Sequence, residues 1–225
     1  MRRFVFATAL AVAGCGLIGD DLTTVTVRLP ARDFRIDSAD WRLPPGSVPV
    51  VPCATDCTAL AEQICTQQNC TAECASNQQC QARIPVSLKN DIDLSKDSPS
   101  YQQVSNLPAV EVQLQSVTFN ITENSLNLDT PQLSVYFGPT SVTSSSDAAA
   151  ELVGTIPPIP AGQGGVREVM LSANGQAVVK KYMDDYRTPF RVLVVAFIVV
   201  HGGQDSPSGR LVGQVTATAT VGLHL

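Results

Sequence analysis

Strict alternation of apolar and polar residues decides what this chain can become. From Leu211 to Leu225 the pattern is unbroken. Val215, Ala217, Ala219, Val221 and Leu223 share one side, and Gln214, Thr216, Thr218, Thr220 and His224 share the other. A period of two belongs to a strand half-buried against a core, because successive side chains point to opposite faces. The same period recurs at Val25, Val27 and Leu29, at Phe34 and Ile36, at Ile84, Val86 and Leu88, and at Leu133, Val135 and Phe137. Between Val110, Val112, Leu114 and Val117, Phe119, Ile121 the phase flips by one residue, which predicts a β-bulge or a crossing between sheets.

Eight or so strands separated by Gly, Pro and Ser turns predict a mainly β chain. We read an antiparallel β-sandwich of immunoglobulin-like character, with a closed barrel as the alternative. Phe190 to Val200 is a near-continuous apolar run and is expected to be a central strand buried on both faces. It is expected to form a C-terminal hairpin with the strand after it. Asn174 to Tyr186 carries Val178, Val179, Tyr182 and Tyr186 at near-helical spacing and predicts one short helix. Trp41, the sole tryptophan, is expected in the core.

Six of the seven cysteines fall in one stretch, Cys53, Cys57, Cys65, Cys70, Cys74 and Cys80, spaced C-x3-C-x7-C-x4-C-x3-C-x5-C. LPPGSVPVVP, residues 43–52, precedes them and reads as an extended, stiff linker. Thr58 to Ile64 is rich in helix formers, and a second helix is expected over Thr71 to Gln81. The C-x3-C pairs then lie one turn apart on helix faces, and this arrangement resembles the disulfide-stapled helical hairpins of small oxidised proteins. Antiparallel nesting favours Cys65–Cys70, Cys57–Cys74 and Cys53–Cys80 among the fifteen possible pairings. Redox catalysis is not expected, since there is no C-x-x-C, and zinc knuckles of C-x2-C spacing are lacking.

The seventh cysteine is different. Arg2 and Arg3 precede a short apolar run, Phe4 to Ala13, and then Val12-Ala13-Gly14-Cys15. The run is too short to span a bilayer and has the length of a secretory signal core. The tetrapeptide resembles the lipobox of bacterial lipoproteins. That resemblance implies cleavage before Cys15, lipid attachment at Cys15 and tethering to a membrane. Gly16 in place of an aspartate points, by the same resemblance, to the outer membrane. An ordinary signal peptide cut after Ala11 or Ala13 is the competing reading. Parity of the cysteines favours lipidation, because removing Cys15 leaves an even six. The expected segments are a signal peptide (1–14), an anchor with the first strand (15–42), a linker with the cysteine-rich helical hairpin (43–82) and the remainder of the sandwich (83–225).

Loss of Arg2 and Arg3 leaves 13 basic against 20 acidic side chains, a net charge of −7. Nucleic acid is therefore not expected as a partner. Catalysis has little to build on. His201 and His224 are the only histidines, and G-x-S-x-G, P-loop and G-x-G-x-x-G patterns are all missing. His201, at a strand end beside Gly202-Gly203, is the one contender for a site. No catalytic, metal or cofactor residues are assigned. The expected function is a non-enzymatic binding or structural module of the cell envelope, touching the membrane through its lipid and an envelope protein or glycan through its surface. The alternatives are a periplasmic carrier of a lipid or other apolar ligand, and an unrecognised hydrolase.

Overall fold

The computed structural model describes residues 23–53, 56–65, 70–99, 102, 109–185 and 187–223. The chain is mainly β and forms two antiparallel sheets that enclose one apolar core. The strands in chain order are β1 (Thr23–Arg28), β2 (Arg32–Asp37), β3 (Thr71–Cys74), β4 (Cys80–Ile92), β5 (Ala109–Asn124), β6 (Leu133–Pro139), β7 (Glu151–Ile156), β8 (Gly165–Glu168), β9 (Met170–Leu171), β10 (Phe190–His201) and β11 (Arg210–Leu223). Three α-helices are described in full: α1 (Thr58–Ile64), α2 (Leu94–Asp97) and α3 (Gly175–Asp184).

The first sheet is organised around β11. Its whole length pairs with β5 on one side, while β1 and β2 share the other side end to end. Pro30 separates β1 from β2, as expected of a residue that has no N–H to give to the ladder. The second sheet runs β3-β4-β10-β6-β7-β9. The alternation read in β11 holds from Leu211 to Thr220: Leu211, Gly213, Val215, Ala217 and Ala219 are buried, and the residues between them are half-exposed. The predicted phase flip is a β-bulge at Gln115. Thr218 pairs with Ser116 and Ala219 with Leu114, so Gln115 is skipped, and its side chain donates to Thr220 Oγ1 at 3.1 Å.

Two expectations about β10 are corrected. It does not form a hairpin with β11, because β10 pairs with β4 and β6 in the second sheet. The segment 202–209 instead carries the chain across to the first sheet. Gly203 and Gly209 there have φ of 85° and 88°, a region that L side chains resist. Nor is β10 buried on both faces throughout. Val192, Leu193 and Val194 are buried in succession, but from Val195 onward the strand alternates, leaving Phe197 and Val199 exposed. The outward face is covered only at the Phe190 end, where the 140–150 loop folds back. Val142 is buried against Gly138, and its carbonyl accepts from Arg191 Nη1 at 2.8 Å.

The cysteine-rich segment also differs from expectation. α1 forms as read, but residues 71–81 are not a second helix. Thr71–Cys74 pairs as β3 with the start of β4, and Cys74 stands opposite Cys80. The turn between them has Asn77 Oδ1 accepting from the Gln79 amide at 3.1 Å, and Gln78 at φ 59°. An Asx-type bond and a left-handed residue end a helix and favour a hairpin. The unit is a helix stapled to a β-hairpin. Leu60 and Ile64 of α1 and Cys80 and Ala82 of β4 lie in the common core, so residue 82, the expected end of the inserted segment, falls within a core strand. α3 matches its expected position, burying Val178, Val179 and Met183; Tyr186 lies outside the described residues. Trp41 is buried as read.

Within the first sheet, β11 passes close under the Phe119 ring of its neighbour β5. A Cβ placed on Gly213 would lie 2.1 Å from Phe119 Cζ. Gly213→Ala is therefore expected to destabilise the domain by about 1–3 kcal/mol through overpacking. Combined with Phe119→Leu, which trims the ring, the two losses should fall short of additivity in urea unfolding. Full additivity would show that the ring does not rest on this glycine.

Candidate functional site

The face that remains open is built at the far end of β10. Its outward row runs Phe197, Val199, His201, all exposed. β4 lies alongside with Pro85 opposite Phe197 and Arg83 opposite Val199. Arg83 sets its guanidinium 3.9 Å from the centroid of Phe197 and also reaches Glu73 of β3 at 3.4 Å. A cation held over an aromatic face is a favourable pair worth about 0.5–1 kcal/mol at exposed sites. Beyond the strand end, Val50 is 58% exposed, more than Phe197 at 48% or Val199 at 38%.

Val50 belongs to the proline-rich segment, which is a strap pinned at several points. Val48 donates to the Gln204 carbonyl at 2.8 Å and accepts from Gly203 at 2.7 Å. The Ser206 amide donates to Gly46 at 2.7 Å, and Ser47 Oγ donates to Asp205 at 3.1 Å. Further along, Cys80 donates to Val51 and Cys53 to Gln78, each at 2.8 Å. Gly202 lies so close that a Cβ would meet the Val50 Cα at 2.9 Å, which accounts for a glycine there.

The strap ends in the disulfides. The structure pairs Cys53–Cys74, Cys57–Cys80 and Cys65–Cys70. Of the nested pairing only Cys65–Cys70 matches; the other two are exchanged. The reason is the β-hairpin. Cys74 and Cys80 are cross-strand neighbours, so each faces a different approaching cysteine, whereas successive helical turns would have nested them. The sulfurs of Cys53, Cys57 and Cys74 lie within 4.8 Å of one another, and all three are disulfide-bonded, so no thiolate remains there to bind a metal.

His201 opens onto a cleft of about 520 Å³ at the end of the sandwich, lined also by Asn127, Asp129, Val199, Gln204 and Asp205. Its backbone N–H donates to Gln204 Oε1 at 2.8 Å. Asp205 accepts from Ser47, and Asp129 accepts from the Ala161 amide at 2.8 Å. Among the described residues, no serine or carboxylate bonds the His201 side chain. The cleft is thus polar, open and without a base–nucleophile pair. Among the described residues, Tyr182 carries a hydroxyl whose acidity is far from ordinary. Burial first, and the Glu151 charge second, push it up to about 12, so it stays protonated and donates to Glu151 at 3.2 Å. That bond ties α3 to β7. Cys15 and His224 lie outside the described residues. No described helix is long and apolar enough to cross a membrane.

No protein-family model and no curated protein matches the chain.

Several carboxylates at or near the surface are held in their charged form by a neighbouring cation or amide. Arg35 lowers Asp37, and the Ala39 amide adds to it. Arg210 lowers Glu123, the Thr143 and Ser144 amides lower Asp147, and the Asp93 amide with Arg32 lowers Asp97. A carboxylate whose folded pKa lies below its unfolded value contributes stability above the unfolded value, and that contribution fades as pH falls through the folded one. The melting temperature should thus be nearly level from about pH 8 to 5 and decline below about pH 4. Added salt should blunt the effect because these groups are exposed. A melting temperature that rises on acidification would contradict the assignment.

Proposed function

We propose that the protein is a lipid-anchored module of the bacterial cell envelope that binds an envelope protein or glycan without catalysing a reaction. The observation that carries the reading is the exposed row of Phe197 and Val199 with Arg83 stacked across it. Isolated apolar residues on a surface need no explanation, but an aromatic held under a guanidinium beside further exposed valines has the composition of binding sites, where aromatic residues and arginine dominate. Attachment through Cys15 accords with the lipobox, and Thr23, already in strand β1, lies only eight residues after it. The body would then sit close to the membrane surface, a geometry that suits a module with no need to reach far.

The filling of the sheet interior supports this reading over a carrier. Val192, Val194, Ala196, Ile198 and Val200 are at most 7% exposed, and the cleft at the strand end is lined mainly by polar groups, a poor match for an apolar ligand. The isolation of His201 supports it over a hydrolase. The two-sheet frame is compatible with the immunoglobulin-like type, which we retain as part of the proposal.

Cys15→Ser is expected to shift the protein from the detergent phase to the aqueous phase or leave it as an uncleaved precursor. Mass spectrometry of the mature N-terminus checks it, and an unmodified chain starting elsewhere refutes the anchor. Phe197→Glu should reduce about tenfold the partner material recovered by cross-linking in intact envelopes, with the melting temperature unchanged. The figure corresponds to the loss of about 1.4 kcal/mol of contact energy. Recovery equal to the parent's would place the contact surface elsewhere.

A further inference from the structure

We infer that the Cys53–Cys74 and Cys57–Cys80 bridges form a disulfide-exchange site that reacts with an external dithiol and converts to a second pairing. The inference is independent of the anchor and of the Phe197 face. It stands on two observations. The first is a contrast in access: Cys74 is exposed and Cys53 half-buried, whereas Cys57 and Cys80 are 5% and 1% exposed. Cys65 and Cys70 are nearly as buried, so Cys53–Cys74 is the bridge that a solvent thiol meets. The second is proximity. Cys74 Sγ lies 3.9 Å from Cys57 Sγ, close to van der Waals contact between sulfurs of two different bridges.

One thiolate of the dithiol attacks Cys74 Sγ; the Cys53–Cys74 bond breaks and Cys53 leaves as a thiolate. The second thiol of the reagent, as thiolate, closes on its own sulfur and expels Cys74. Two electrons have passed to the protein, the reagent departs as a disulfide, and the protons of its two thiols end on the protein's sulfurs. The Cys74 thiolate next attacks Cys57 Sγ. A Cys57–Cys74 bond forms, the Cys57–Cys80 bond breaks, and Cys80 leaves as a thiolate that takes up a proton. This second step involves no net oxidation or reduction. Thiol–disulfide exchange of this kind requires only a thiolate with access to a neighbouring disulfide sulfur. Its structural result is specific. Cys57, which precedes α1, is transferred from the central strand β4 to the edge strand β3, and the thiols come to rest at Cys53 and Cys80.

The test uses the purified, oxidised protein and a limiting amount of dithiothreitol. Samples are quenched in acid, alkylated, cleaved at Asp56, Glu62 and Glu73, and mapped by tandem mass spectrometry, in which backbone fragmentation between Cys74 and Cys80 tells which of the two carries the label and which the link. The expected two-thiol species carries labels on Cys53 and Cys80 and a Cys57–Cys74 link. Labels confined to Cys53 and Cys74, with Cys57–Cys80 intact until reduction is complete, would overturn the proposal. So would opening of another bridge first. Cys53→Ser gives a second measure without reductant, since it leaves Cys74 unpaired from the start. That variant should be isolated as a mixture of Cys57–Cys80 and Cys57–Cys74 forms, and a pure Cys57–Cys80 form would overturn the proposal equally.

Discussion

Burial of the inward row of β10 against the opposite sheet is the contact on which the rest of the structure depends. Val192, Val194, Ala196, Ile198 and Val200 project into the core from a strand that is central in its sheet, and Leu211, Val215, Ala217 and Ala219 enter the same core from the central strand of the other. Each such side chain removed from water contributes on the order of 1–3 kcal/mol. These two strands are consecutive in the chain, so the connection between them must change sheets within eight residues, 202–209. That demand explains the left-handed glycines of the connection, and it explains why so much of the neighbouring chain is committed to holding it. Gly209 packs so tightly that a Cβ would meet the Ser125 carbonyl oxygen at 2.0 Å. Asn127 accepts from the Ser208 amide at 2.8 Å, and the strap bonds to Gly203, Gln204 and Ser206.

What could be read from the residues follows from how local each determinant is. The alternation of β11, the bulge at Gln115 and the apolar stripe of α3 are set by neighbours within a few positions, and all are found where expected. The partner of β10 is a non-local matter. A turn-rich segment between two apolar runs fits a hairpin and a sheet-to-sheet crossing equally well, and only the competition of β4 and β6 for the edges of β10 decides. Residues 71–81 fail for a related reason. Thr71-Ala-Glu-Cys-Ala has no strong preference, and pairing with β4 overrides a weak helical tendency. The turn chemistry of Asn77-Gln78 was the signal that could have separated a hairpin from a helix.

The exposed face was harder to see because its residues sit inside an apolar run. Nothing in FRVLVVAFIVV marks Phe197 and Val199 as different from Leu193. The difference arises elsewhere, in the 140–150 loop, which reaches Gly138 and Arg191 and leaves the other end of the outward face bare. The cysteine pairing depends in turn on the secondary structure: a helix over 71–81 would nest Cys57 with Cys74 and Cys53 with Cys80, and the β-hairpin exchanges those partners.

The strap and the disulfides give this face a property that matters for binding. Residues 44–53 would be expected to wander if they were only a proline-rich linker. Instead Pro44, Gly46, Ser47 and Val48 are bonded to the 203–206 segment, Val51 and Cys53 to the 78–80 turn, and Cys53 is covalently joined to Cys74. Val50 is thus held at both sides while its side chain faces solvent. Phe197 is similarly fixed, by the β4–β10 ladder beneath it and the Arg83 guanidinium over it. Ordering a free side chain at an interface costs about 0.5–1.5 kcal/mol, and groups already held lose less. A modest apolar row can therefore bind more tightly than its area suggests. Rearrangement of the bridges would act on the same framework, because Cys74 is both the reactive sulfur and the anchor of the strap. Release of Cys53 would free the end of the segment that positions Val50, which couples the oxidation state of one exposed bridge to the order of the surface beside it.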